Sequence, residues 1–318
     1  MPDPMEKLAA AIESNDVGMA RGVLQSHPEI KSKLDDPMPG GHFGQTPLLA
    51  AVQRKNLGLI DALLQAGAGI NVKSHWWAGG FGVLDNDSGL APLLIQRGAV
   101  LDAYAASRLG MLERLKELIS ADPQLVNMRG GDGQRPLHVA ANVEIAEFLL
   151  DHGAQIDAVD VDHESTPAQY LIRDRQDVVR LLISRGCRTD LLMACAMGDV
   201  DLVRKHLDAD PNSIRMSVGA GDFPMRDPRA GGTIYIWTLG ADKTPHQVAR
   251  EFGHENVFAL LMERSPMESL YSETYSTEGS RSSDSSRSTS TGFISTSRAP
   301  ISSSCPMSGA AQPVMTQT

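Results

Sequence analysis

Apolar positions along the chain fall into short helical stripes separated by glycines and small polar turns, and one order of elements keeps returning. The stretch DGQRPLHVAANVEIAEFLLDHGAQID (132–157) shows a single unit. Pro136 suits the first turn of a helix, because its missing N–H would be unpaired there anyway. Ala140 and Ala141 are small enough to admit a neighbouring backbone. Ile145, Phe148 and Leu149 recur at spacings of three and four, the apolar face of a second helix. Gly153 stops that helix, since glycine accepts the left-handed conformation beyond a C-terminus at little cost. The Asp-rich run from Ala154 to Asp162 then predicts an extended turn. One unit therefore reads as helix, short turn, helix, reversed loop.

The same order recurs in GQTPLLAAVQRKNLGLIDALLQAGAGIN (44–71), ESTPAQYLIRDRQDVVRLLISRGCRTD (164–190) and DKTPHQVAREFGHENVFALLMERS (242–265). Weaker copies lack the Thr-Pro start but keep the second helix. That helix is predicted to end near Leu24, Leu64, Leu94, Ile119, Leu150, Leu182, Leu207 and Leu261, which makes about eight units. Several of the steps lie close to the period of about 33 residues that ankyrin arrays show. Over roughly residues 5–264, with its Thr-Pro starts and Gly-Ala or Gly-His marks, the chain resembles an ankyrin-repeat protein. It departs from the family pattern at Arg135, where Thr is usual, and only His138 holds the His that follows Pro-Leu.

The resemblance implies an all-α solenoid of stacked helix–turn–helix units with short hairpin loops. It also implies recognition of another protein through hairpin tips and a concave face, with no catalysis and no cofactor. The array is expected to span 1–264, and each unit to lean only on the next. Two segments interrupt it. In NVKSHWWAGGFGVLDNDSG (71–89) the first helix of a unit is barely recognisable. In SVGAGDFPMRDPRAGGTIYIWTLGAD (217–242) a Pro- and Gly-rich loop precedes TIYIWTL. That heptad alternates, with Ile234 and Ile236 on one face and Tyr235 and Trp237 on the other, and predicts a strand or β-hairpin in an enlarged loop.

All three tryptophans lie in those two segments. Tryptophan is a favoured interface anchor, although a large ring also plugs the gap an irregular unit leaves. The residues expected to meet a partner are His75, Trp76, Trp77 and Phe81 in the first segment. In the second they are Arg226, Arg229, Tyr235 and Trp237, with Asp162, His163 and Tyr170 between. An alternative is an enzyme or small-ligand sensor whose site joins the two segments. They stand about five units apart at about 10 Å per unit, so they are predicted to lie too far apart to share one.

Other candidates for chemistry weaken on inspection. His254-Glu255 opens like a zinc-protease helix, but Phe258 occupies the place of the second His. His138 and His254 are expected to bond backbone between units. Asp160, Asp162, His163 and Glu164 resemble metal ligands, yet Asp favours turns for local bonding, so a solvated hairpin tip is predicted and no metal. Cys187 and Cys195 lack zinc-site spacing and are expected to be buried thiols. GGHFG and GAGDF fail as phosphate loops because neither sits between a strand and a helix.

Composition narrows the rest. A net charge of −10 argues against a nucleic-acid partner. No window approaches the roughly 18 apolar residues of a membrane helix, and MPDPMEKLAAAIESND lacks a signal-peptide pattern. Three cysteines form no disulfide framework and suit a reducing compartment, so a monomer in the cytoplasm is expected. From Ser265 the chain turns Ser- and Thr-rich with few apolar residues, which predicts a disordered tail, 265–318. Tyr271, Tyr275 and the serines around Arg281 and Arg287 are candidate modification sites there.

Overall fold

The computed structural model describes residues 3–85 and 89–265, so the tail and its candidate modification sites lie outside the described residues. Helices alternate along the chain. The first unit pairs α1 (Pro4–Glu13) with α2 (Val17–Ser26), and the second α3 (Pro47–Gln53) with α4 (Leu57–Ala66). The third unit has only α5 (Ala91–Gln96), preceded by a long irregular segment. The fourth pairs α6 (Ala103–Arg108) with α7 (Leu112–Ala121). In the fifth a 3-10 turn, Pro136–Val139, stands in for the first helix ahead of α8 (Val143–Asp151). The last three pair α9 (Pro167–Leu171) with α10 (Gln176–Ser184), α11 (Leu191–Met197) with α12 (Val200–Ala209), and α13 (Pro245–Glu251) with α14 (Glu255–Arg264). All eight positions predicted near the end of a second helix fall inside α2, α4, α5, α7, α8, α10, α12 and α14. No helix among the described residues is long and apolar enough to cross a membrane.

Short helices of this kind need their ends satisfied, because the first four N–H groups have no partner within the helix. Thr46 accepts from the N–H of Leu49, Asn56 from Leu59, Asn142 from Ile145 and Asp199 from Leu202, so the caps recur with the units. Pro opens α3, α9 and α13, as the Thr-Pro copies predict. Small residues fill the first helices: Ala50 and Ala51, Ala105 and Ala106, Ala194 and Ala196 are all buried, which lets layers stack closely. Leu59, Ile60, Leu63, Val178, Val179 and Leu182 carry the apolar face of the second helices, each worth about 1.5–3 kcal/mol when fully buried.

Histidines tie one unit to the next. His138 Nδ1 accepts the Arg135 N–H, so its Nε2–H donates to the Ser165 carbonyl across the unit boundary at 3.2 Å. His254 reaches back to the Ala196 carbonyl at 3.0 Å. A Cβ on Gly198, whose φ is +67°, would stand 2.5 Å from the His254 ring, so that turn admits glycine alone. Burial drives the His138 pKa down from 6.5 to about 4. The folded protein thus resists a proton that the unfolded chain accepts, and this contribution is complete above 6.5 and lost as pH falls towards 4. Urea unfolding of wild type and His138→Gln at pH 7.5 and 4.5 is expected to show their stability difference shrinking by about 2–3 kcal/mol at the lower pH.

The apolar core is continuous but narrows at the third unit. One cluster runs from Met5 to Ala105 and another from Ala103 to Leu261, with Leu101 packed against both. Where a first helix is missing, Val83 and Leu84 from the preceding segment fill the gap. The enlarged loop differs from its prediction. Residues Ile236–Gly240 form one turn of π-helix, and the described residues contain no β-strand. The reason is local: no neighbouring strand offers an edge, and the N–H groups of Ile236, Trp237 and Thr238 turn back to the Thr233 and Ile234 carbonyls. Tyr235 and Leu239, one helical turn apart, both point inward.

Candidate functional site

The loops joining the units form a row along one edge of the array, and two positions in that row are nearly empty. Between α5 and α6, and again between α10 and α11, the connection is too short to project a hairpin. The long neighbours lean into those gaps. Residues 71–85 reach forward to the loop at 130–133, where the Asp132 N–H donates to the Gly79 carbonyl at 3.1 Å. Residues 217–242 reach back to the loop at 160–165. There the Gly231 N–H donates to the Asp162 carbonyl, and the Ile234 N–H to Ser165 Oγ. The middle loops join as well, since the N–H groups of Val161 and Asp162 both donate to the Asp132 carbonyl.

The two irregular segments therefore meet, contrary to the separation expected from their spacing. The Arg229 guanidinium lies 4.1 Å from the centre of the Trp77 ring. A spacing rule of one step per unit assumes loops of equal length, and the unequal loops here overrun it. The expectation that each unit leans only on the next fails along this edge for the same reason.

Aromatic rings gather at one end of the seam. Phe43 packs edge-on against Trp76 at 4.8 Å and sits 6.2 Å from Phe81, while Trp76 and Trp77 are 6.1 Å apart. Trp76, Trp77 and Phe81 are half-buried, and Phe43 and His75 are exposed. At the other end Trp237 is 54% exposed, with its ring 4.8 Å from that of His163. Arg229 is held by two bonds to Asp227, at 3.1 and 2.7 Å, and stays exposed above Trp77. Arg226 extends into solvent with its Nε 4.0 Å from Glu164 Oε2.

Four of the expected contact residues are placed differently. Tyr235 is wholly buried, and its hydroxyl donates to Asp190 Oδ2 at 2.9 Å, so it offers a partner nothing. The Tyr170 hydroxyl is likewise committed, to Asp160 Oδ2 at 2.9 Å. Asp162 and His163 were expected at a solvated tip, yet they are 5% and 9% exposed, because the 217–242 loop lies over them. Asp160 organises that turn: its carboxylate accepts from the N–H groups of His163 and Ser165, each at 2.8 Å, as well as from Tyr170.

Where the four loops join, Asp132, Asp162 and His163 converge, each offering one atom within 4.8 Å of the others. His163 Nδ1 lies 2.7 Å from the Gly232 carbonyl. A carbonyl only accepts, so Nδ1 carries the proton, and the other ring nitrogen, Nε2, faces Asp162 Oδ2 at 3.5 Å. Burial, then the neighbouring Asp162 carboxylate, push Asp132 up to about 6, with His163 opposing. Burial also raises Asp162, again against His163. Asp132 Oδ1, Asp162 Oδ1 and Trp76 Nε1 are buried without a hydrogen-bond partner. The Trp76 N–H lies near enough to Asp132 to hold its pKa down a little, but not in bonding geometry.

The sequence pattern misses Phe43 and Asp132 as parts of this region. Phe43 lies inside the GGHFG run, whose glycines read as a failed phosphate loop. Asp132 and Phe43 both adopt φ of +55°, an uncommon value for residues other than glycine. The cysteines behave as expected. Both Cys187 and Cys195 are buried and unpaired, and burial pushes Cys187 up to about 12.

Similarity to known proteins follows the same units. A family profile described as Ankyrin repeats (3 copies) matches residues 103–193, and another described as Ankyrin repeat matches 43–75. The irregular stretch 76–102 falls between them. The chain is 28% identical over 119 residues to Ankyrin repeat and SAM domain-containing protein 6 of Mus musculus, covering 36% of this chain and 14% of that protein. It is 32% identical over 115 residues to E3 ubiquitin-protein ligase XB3 of Oryza sativa subsp. japonica, covering 35% of this chain and 20% of that protein. The chain thus spans a fifth or less of the length of these curated relatives.

Proposed function

The chain is an ankyrin-repeat protein, and we propose that it is a non-enzymatic scaffold that binds another protein through its joined row of loop tips. Repeats of this family generally serve protein interaction, and stacked units present rigid side chains that lose little entropy on binding. The observation that carries the reading is the seam itself: exposed Phe43 and Trp237 flank half-buried Trp76 and Trp77, with Arg229 clamped between. Tryptophan and arginine dominate the energetic centres of protein interfaces. His75 and Arg226 would lie at the rim. The net charge of −10 disfavours nucleic acid, and unpaired buried thiols suit a monomer in the reducing cytoplasm.

Trp237→Ala tests this directly. Because most of one face of the ring is already in water, its unfolding midpoint is expected to stay near that of wild type. Capture of the partner from host extract, quantified against wild type by mass spectrometry, is expected to fall at least about tenfold, a loss of about 1.4 kcal/mol. Equal capture by wild type, Trp237→Ala and Trp77→Ala would exclude this surface. A second reading, a small-ligand sensor, draws support from one observation, the buried Asp132–Asp162–His163 group at the meeting of the two long loops. Ligase activity belongs to the rice relative, of which only a fifth is matched, and nothing in the matched units carries it over.

A further inference from the structure

We propose that Asp132, Asp162 and His163 bind a divalent cation of the zinc class, which fastens the two long loops to the middle of the loop row. This goes beyond the scaffold reading and stands without it.

Three observations point to a cation. First, His163 is prepared as a ligand: its Nδ1–H is fixed on the Gly232 carbonyl, which leaves Nε2 aimed towards Asp162. A hydrogen bond from the far ring nitrogen is how metal-binding histidines are oriented. As it stands, Nε2 faces a carboxylate oxygen at 3.5 Å, an arrangement that calls for a positive charge there, a proton or a metal ion. Second, Asp162 is 5% exposed and its Oδ1 has no hydrogen-bond partner, and Asp132 Oδ1 is also buried and unpartnered. Leaving such atoms unmade is costly in a folded chain. Third, among the described residues no lysine or arginine forms an ion pair with Asp132 or Asp162, whose nearest cationic candidate is His163. The nearest basic groups on the covering loop are spent elsewhere, Arg229 on Asp227 and Trp77, and Arg226 towards Glu164.

One imidazole and two carboxylates form a mixed donor set that zinc and similar divalent ions accept, whereas calcium and magnesium favour oxygen alone. Donors about 2.0–2.2 Å from one ion lie about 3–3.5 Å from each other. The three atoms here lie within 4.8 Å, so small side-chain rotations would close the site. The orphaned Trp76 N–H can then donate to the Asp132 carboxylate, whose charge the ion holds in place. A proton shared among the three groups is the competing occupant.

Trp237 packs 4.8 Å from His163 and Trp76 lies beside Asp132, so the full-length chain reports on the site by its own fluorescence. Chelator-treated protein at pH 7.5 is titrated with zinc chloride, and separately with calcium and magnesium chloride, with calorimetry for stoichiometry. The expected result is a saturable change at one zinc per chain, weakened at least tenfold in His163→Gln and in Asp132→Asn and unaltered in His152→Ala, an exposed histidine. Zinc is also expected to raise the unfolding midpoint of wild type and not that of Asp132→Asn. Asp132 is only half-buried, so its amide variant serves if His163→Gln fails to fold. No saturable zinc binding, or binding lost equally in His152→Ala, would overturn the proposal in favour of the proton. A response to calcium and magnesium equal to that for zinc would overturn the assignment of ion class.

Discussion

Tyr235→Ala is expected to lose about 3–5 kcal/mol of folding stability, the range for deleting a fully buried aromatic ring. The ring fills the space above α11, where the short connection from α10 leaves no hairpin. Phe223 packs edge-on against it at 5.3 Å. Its hydroxyl donates to Asp190 Oδ2, and Asp190 Oδ1 caps α11 at the Met193 N–H. Tyr235→Phe keeps the ring and removes only that donor, so it is expected to cost about 1–2 kcal/mol. Urea unfolding of the three proteins separates the two contributions. A loss below about 1 kcal/mol for the alanine variant would mean that something other than this ring closes the gap.

The second large effect belongs to Asp160. Alanine there leaves the buried N–H groups of His163 and Ser165 and the Tyr170 hydroxyl without an acceptor. At about 1–3 kcal/mol for each orphaned group, reduced by whatever water enters, the expected loss is about 3–5 kcal/mol. Asp160→Asn retains one acceptor oxygen and should fall between. The 217–242 loop hangs on this turn through the Asp162 carbonyl and Ser165 Oγ. Amide hydrogen exchange at Gly231 and Ile234 is therefore expected to accelerate in Asp160→Ala along with that at His163 and Ser165. Unchanged protection at Gly231 would show that the loop is held independently.

The repeated layers were legible because their signals are local. Thr-Pro starts, i to i+4 apolar spacing and a closing glycine lie within one unit, and all eight second helices stand where those signals place them. The two structural histidines could be read for the same reason, as each follows a fixed place in its unit. The seam was not legible, since it depends on what neighbouring units lack. Nothing within 71–89 announces that the connection before α6 is too short to project, and only that shortness lets Gly79 reach Asp132. Alternation in TIYIWTL was misleading. It would put Tyr235 and Trp237 on one face, yet Tyr235 is inside and Trp237 outside, because the backbone coils where it has no edge to pair with and Tyr235 shares its inward side with Leu239.

The contact of Arg229 with Trp77 has a mechanical corollary. An open coil of stacked hairpins stretches like a spring, each layer tilting a little on its neighbour, and it melts from its ends inward. Here the free rim from the second unit to the eighth is laced together, so tilting any layer between them must break the lacing first. Pulled from its two ends, this stretch should yield abruptly at a single force, while the first layer, outside the lacing, gives way gradually.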